Sequence, residues 1–155
     1  MVPQSDNVNE SRLERGRRLL AEIDGRAGQN VISALVDIAP DFATYVFEFS
    51  FGDIYAREGL GLREREIATI AALAALGNAA PQLKVHIEAG LNVGLKENEI
   101  VEILIQMAVY AGFPAALNGL FAAKEVFQAR RSAGESALPG HLSCVPPGRP
   151  SAPGV

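Results

Sequence analysis

The sequence predicts an all-α protein, a compact multi-helix bundle within one domain. Three observations carry that expectation. Alternation of apolar and polar residues rarely lasts more than a few positions, and Ala is abundant where strands would favour Val, Ile or Thr. Between Arg12 and Arg131, prolines fall only at Pro40, Pro81 and Pro114, each where a helix can begin, since the missing N–H of a first-turn residue needs no partner. Glycines at Gly77, Gly94 and Gly112 mark the matching stops.

On this basis helices are expected over 11–24, 31–38, 41–56, 63–76, 81–93, 97–110 and 114–131. The sixth shows the clearest pattern. Ile100, Ile103, Leu104, Met107, Ala108 and Ala111 form an apolar stripe at helical spacing, and Val101, Ile105 and Val109 form a second beside it. The segment 67–76 is equally apolar, with Thr69 its single polar residue. A domain of this size has a limited interior, so two helices that are apolar nearly all round predict an oligomer in which these faces pack across subunits. The first ten residues are polar and read as a flexible N-terminus, and 11–131 as the single domain. The stretch 132–155, dominated by Pro, Gly, Ser and Ala, reads as a disordered tail because it has too little apolar surface to offset its backbone entropy.

Composition excludes several classes. With 48% apolar and 21% charged residues the chain has an ordinary globular mixture. One Cys rules out an internal disulfide framework, a Cys-rich zinc site and a Cys-x-x-Cys redox pair. With only two His besides, no metal is expected. A net charge of −4 and no basic stripe argue against nucleic acid. No apolar run is long enough for a membrane span and the N-terminus lacks a signal-peptide core, so a cytoplasmic location is the expectation. A phosphate-binding glycine loop and a Gly-x-Ser-x-Gly elbow are both missing; no cofactor is expected.

What remains is a small set of polar residues. Cys144 and His141 fall in the tail, leaving His86 as the one imidazole of the domain. It reads either as a packed core residue or as a proton donor, and its surroundings favour the second. Glu66 closes the run Arg63-Glu64-Arg65-Glu66 just before the apolar 67–76 segment, where a carboxylate becomes half buried and needs a partner. Beside His86 it would raise the imidazole pKa and fix the tautomer. Arg57, at a helix end, would either read an anionic substrate or cap the helix. Tyr110 and Asn118 flank the turn at Gly112, where a new helix N-terminus could face an anion or simply connect two helices.

These segments carry a resemblance. Gly52-Asp53-Ile54-Tyr55, Arg65-Glu66-Ile67-Ala68-Thr69-Ile70-Ala71, Leu83-Lys84-Val85-His86, Asn92-Val93-Gly94, Glu99-Ile100-Val101-Glu102 and Tyr110-Ala111-Gly112-Phe113-Pro114-Ala115-Ala116-Leu117-Asn118 resemble, in order and spacing, the carboxymuconolactone decarboxylase family. Within the alkylhydroperoxidase D-like superfamily this is the branch without Cys-x-x-Cys. Here the stretch before His86 reads Asn78-Ala79-Ala80-Pro81-Gln82, which excludes thiol peroxidase chemistry. In one departure from the family's decarboxylases, Phe121 is followed by Ala122 and not by a second His.

The resemblance implies an all-α fold assembled as a homo-oligomer, a trimer or hexamer. It also implies a cofactor-independent decarboxylase acting on a small anionic substrate like 4-carboxymuconolactone. Carbon dioxide would leave, a dienolate would form, and a proton would return at the carbon α to the lactone carbonyl. His86 would be the proton donor or oxyanion partner, with Glu66 orienting it. Arg65 and Arg57 would hold carboxylates, and Tyr110 and Asn118 would bond the lactone. A divergent isomerase or cyclase on the same scaffold, or a non-catalytic oligomeric binding protein, is the alternative.

Overall fold

In the computed structural model, residues 10–137 are described, and they are helical with no strand among them. The helices are α1 (Arg12–Ile23), α2 (Gly25–Ser33), α3 (Phe42–Tyr45), α4 (Leu62–Leu76), α5 (Ala80–Asn92), α6 (Glu97–Tyr110) and α7 (Phe113–Ala137), with a π-helical segment (Val46–Tyr55) continuing directly from α3. His141 and Cys144 lie outside the described residues.

Local signals set most boundaries. Ser11 and Glu14 form a reciprocal capping box at the start of α1. Pro81 sits in the first turn of α5. Gly77 closes α4 in the left-handed region at φ 72°, and Gly94 and Gly112 also take positive φ at the expected stops. Two boundaries differ from expectation. The helix expected over 31–38 instead occupies Gly25–Ser33, because Gly25 at φ 54° reverses the chain immediately after α1 and α2 starts with no loop. At the other end, α7 continues past Arg131 to Ala137, so the first residues of the segment expected to be disordered are helical.

The change of winding in the 41–56 helix coincides with a close backbone contact against α1. A Cβ on Gly16 of α1 would come within 1.8 Å of the Phe47 carbonyl oxygen, and one on Gly52 within 2.5 Å of the Arg12 carbonyl oxygen. The two backbones therefore touch at both glycines. Arg15 Nε donates to the Gly52 carbonyl at 2.8 Å and Arg12 pairs with Asp53 across the same contact. The wider π turn brings Val46, Ser50, Phe51 and Tyr55 to one wall, with Phe51 and Tyr55 rings 5.1 Å apart.

Two apolar cores result. The larger joins α4, α5, α6 and α7 through Ile70, Ile87, Ile100, Leu104 and Phe127. The smaller joins α1 and the π segment to α5 through Leu19, Leu20, Ile23, Phe51 and Ala89. Gly90 is the tight point between α4 and α5, with Ile70 Cδ1 only 3.1 Å from where its Cβ would be. Outside the larger core, Val109, Tyr110, Phe113, Leu117 and Phe121 remain exposed. Phe113, Leu117 and Phe121 form one stripe at i, i+4, i+8 along α7.

Because backbone and not a flexible side chain fills the space beside Gly16, Gly16→Ala should destabilise the fold by about 1–3 kcal/mol. A urea titration followed by circular dichroism measures this, and an unchanged midpoint would contradict the close crossing.

Candidate active site

The two cores meet at a seam, and the polar residues of the seam come from four elements. On α4, Glu66, Ile70 and Ala74 share the buried face at i, i+4, i+8, so Glu66 occupies a core position. Its relative exposure is 0%. On α5, His86 stands next to the buried Ile87, which turns its ring toward α4. The π segment contributes Tyr55, and the junction of α1 and α2 contributes Asp24.

Glu66 is the hub. His86 Nδ1 lies 3.0 Å from Glu66 Oε2, and the Tyr55 hydroxyl donates to Glu66 Oε1 at 2.9 Å. Both carboxylate oxygens are thereby engaged, which a buried carboxylate requires. Thr69 supports the arrangement from the next turn of α4, with its Oγ1 3.0 Å from the Tyr55 oxygen and 2.9 Å from the Arg65 carbonyl it donates to. Since Nδ1 faces Glu66, Nε2 is the His86 nitrogen left for a ligand.

The electrostatics follow from this geometry. Burial acts against the charged imidazolium of His86, but the hydrogen bond and charge of Glu66, with the charge of Asp24, outweigh it and raise the His86 pKa above its ordinary value. Burial, together with the neighbouring Glu66 charge, raises the Tyr55 hydroxyl, which therefore stays a phenol and a donor. Asp24 is 5% exposed, and burial pushes its carboxyl from 3.8 up to about 6, with Glu66 adding to the rise and His86 opposing it.

His86, Tyr55, Thr69 and Asp24 line a cavity of about 390 Å3 between the α1–α2 hairpin, the π segment and the α4–α5 pair. Its remaining wall is mainly apolar: Leu20, Val31, Ile32, Leu35, Phe42, Val46, Phe51 and Val85, with Ser50 and Gln82 as further polar groups. That volume suits a small organic molecule.

The structure joins His86 and Glu66 directly. It does not bring the expected substrate-binding residues to them. Arg65 and Arg57 do not line the cavity. Arg65 turns back across the helix start, donating to the Arg57 carbonyl at 2.9 Å with its guanidinium 5.8 Å from the centre of the Tyr55 ring. Arg57 itself is exposed. Tyr110 and Asn118 are exposed and do not line the cavity. Asp24, Tyr55 and Thr69 are the site residues that sequence patterning did not single out. Asp24 directly precedes a glycine at a helix junction, where it reads as an ordinary cap, and only the crossing of α1 over α5 turns it inward.

Oxygen or nitrogen atoms of Asp24, Glu66 and His86 all lie within 4.8 Å of one another. Glu66 and His86 are already bonded to each other, so a cation would have to displace that hydrogen bond; we assign no metal here.

Comparison with known proteins places this site in context. Residues 40–125 match the model of the carboxymuconolactone decarboxylase family. The chain belongs to that family. The 4-carboxymuconolactone decarboxylase of Acinetobacter baylyi is 32% identical over 77% of this chain and 90% of its own length. An uncharacterised 15.0 kDa protein of Paracoccus denitrificans is 33% identical over 61% of this chain and 71% of its own. The nitrosuccinic acid decarboxylase of Metarhizium robertsii is 26% identical over 61% and 65%. The family match contains Tyr55, Glu66, Thr69 and His86, whereas Asp24 precedes it. Ala122, the family-pattern departure, is buried in the larger core and does not line the cavity.

The His86–Glu66 pair predicts a measurable titration. Glu66→Gln removes the charge that raises His86, so the imidazole pKa should drop in the variant, read from its ring C–H signals by NMR. Because the folded-state value lies above the unfolded one, this pair contributes stability fully below the ordinary imidazole value of about 6.5, and loses it as pH rises through the raised one. A His86 signal unmoved by Glu66→Gln would contradict the assigned contact.

Proposed function

We propose that this chain is a cofactor-independent decarboxylase of a small carboxylated lactone, similar to 4-carboxymuconolactone, with His86 as its proton donor. The observation that carries the reading is the His86–Glu66 pair on the wall of a mainly apolar cavity. Two relatives named as decarboxylases, one for 4-carboxymuconolactone and one for nitrosuccinic acid, support the reaction class.

The chemistry asks for positioning, an apolar surrounding and one proton. When the carbon–carbon bond to the carboxylate breaks, its electron pair moves into the conjugated lactone carbonyl, giving a dienolate and carbon dioxide. The apolar wall favours this step because a localised carboxylate charge becomes spread over the conjugated system. Charged His86, with Nδ1–H held by Glu66, presents Nε2–H and returns the proton at the carbon α to the carbonyl. Glu66 fixes the tautomer and stabilises the imidazolium, and Tyr55 holds Glu66 in place. Water then reprotonates the imidazole. With Arg57 and Arg65 directed elsewhere, the substrate's charge in this cavity is met by His86 and by neutral donors.

A panel of carboxylated lactones followed by NMR tests the reading through loss of carbon dioxide. His86→Ala should lower turnover by about a hundred- to ten-thousandfold with the fold intact. Wild-type turnover should fall as pH rises through the raised His86 pKa, since the charged form is the donor. Unchanged turnover in the variant removes His86 from the mechanism, and binding without turnover across the panel favours a non-catalytic binding protein.

We also propose that the chain assembles as a homo-oligomer, a trimer or hexamer, through the exposed α6–α7 face. Val109, Phe113 and Phe121 are each at least 60% exposed, and exposed apolar side chains on packed helices of this kind support an interface. Light scattering after size exclusion should give a multiple of 16.4 kDa, and Phe113→Glu should shift it toward the single-chain mass. A wild-type monomer overturns the assembly.

A further inference from the structure

We propose that Asp24 is a second catalytic residue, whose neutral carboxyl donates a hydrogen bond to the substrate carbonyl oxygen on which charge collects during decarboxylation. This inference rests on the decarboxylase reading of the same cavity. It concerns a residue outside the family-matched segment, on the α1–α2 wall.

The geometry leaves Asp24 with no structural task. It stands at the N-cap of α2, where an Asp side chain ordinarily accepts a hydrogen bond from the first turn, yet it makes no capping bond. Its side chain is buried, and Oδ1 has no hydrogen-bond partner. A buried polar atom without a partner is costly and calls for an explanation. Gly28, one turn on, leaves the room: a Cβ there would come within 2.4 Å of the Asp24 Cβ. Asp24 is among the residues that line the cavity with His86.

Burial and the Glu66 carboxylate favour its neutral form, and a charged His86 opposes it. Glu66 on α4 and His86 on α5 face it from within the seam, and Tyr55 on the π segment stands across the same cavity as an uncharged phenol. On its outer side, Arg26 of α2, Lys84 and Glu88 of α5 and Arg130 of α7 line a separate surface groove that Asp24 also borders. Burial raises its pKa to about 6, with His86 opposing the rise and the Glu66 charge adding to it. A carboxyl kept neutral in an apolar pocket is a strong donor toward a developing oxyanion. Tyr55 is engaged with Glu66, so among the buried acids of the cavity Asp24 alone has an uncommitted oxygen.

In the resulting step the carbon–carbon bond to the carboxylate breaks and carbon dioxide leaves. The released electron pair reaches the carbonyl oxygen, where the Asp24 O–H holds it without giving up its proton. His86 then transfers its proton to the α carbon, the pair forms the new C–H bond, and the carbonyl is restored.

The probe is 2(5H)-furanone, an unreactive butenolide, labelled with carbon-13 at its carbonyl. Bound to the full-length protein at about pH 5, below the Asp24 pKa of about 6, its carbonyl signal should move downfield as expected for a hydrogen-bonded carbonyl. The displacement should vanish at about pH 8 and in Asp24→Ala, persist without pH dependence in Asp24→Asn, whose amide also donates, and survive in His86→Ala. With a turned-over lactone, Asp24→Ala should lose about a hundredfold or more in rate. Thermal melting separates function from structure. Because the folded Asp24 pKa lies above the unfolded one, the acid weakens the fold as pH rises from about 4 to about 6. Asp24→Asn should therefore melt higher than wild type at about pH 8 and equally at about pH 4, whereas a structural acid would melt lower on substitution. A carbonyl signal that is the same in wild type and Asp24→Ala, or a furanone that does not bind wild type, overturns the proposal. If some lactone is decarboxylated at an equal rate by Asp24→Ala, Asp24 falls and the decarboxylase reading stands. If the Asp24-dependent signal appears but no lactone is decarboxylated, the decarboxylase reading falls and the donor stands.

Discussion

A fully buried carboxylate, Glu66, is the constraint on which the rest of the site depends. Alone at a core position it would cost several kcal/mol. It is tolerable because α5 delivers an imidazole to one oxygen and the π segment delivers a phenol to the other. Three helical elements are thus tied at one point by groups that cannot be exchanged for apolar residues singly. Removing any one leaves another buried and unpartnered, which is why the seam keeps one arrangement of its polar residues.

The cavity is the geometric consequence of joining two cores. Four helices pack into one, the α1–π pair forms the other, and α5 serves both, through Ile87 on one side and Ala89 on the other. The α1–π contact is closed so tightly at Gly16 and Gly52 that these two elements act as one wall, and the space left opposite α4 and α5 cannot collapse. Apolar residues cover most of that space. The few polar groups that reach it therefore act in a weakly screening environment, where one charge or one hydrogen bond has a large effect.

Some of this was legible in the residues. The 97–110 helix coincides with α6 because its apolar positions repeat at helical spacing, and its glycine and proline neighbours set both ends. Glu66 and His86 stood out because each is a polar residue in an apolar helical stretch, a conflict that tertiary contact has to resolve. The winding of 46–55 was not legible, since no local pattern marks the close contact it makes with α1. Nor was the fate of Arg65. Its charge next to Glu66 suggests substrate binding, but the loop after the π segment offers it a carbonyl and a ring face nearer than the cavity.

Sequence by itself determined the helical class, most helix ends and the chemistry available, because periodicity, Pro and Gly act locally and a residue type is fixed by its position. With its single Cys at position 144, the sequence also left residues 11–131 without a thiol. Only the tertiary structure decided which polar residues share a cavity. It separated Tyr110, Asn118, Arg57 and Arg65 from His86 and brought in Tyr55, Thr69 and Asp24, because proximity between distant segments depends on how helices cross. Those crossings are set by close backbone contacts and by buried pairs that no local pattern displays.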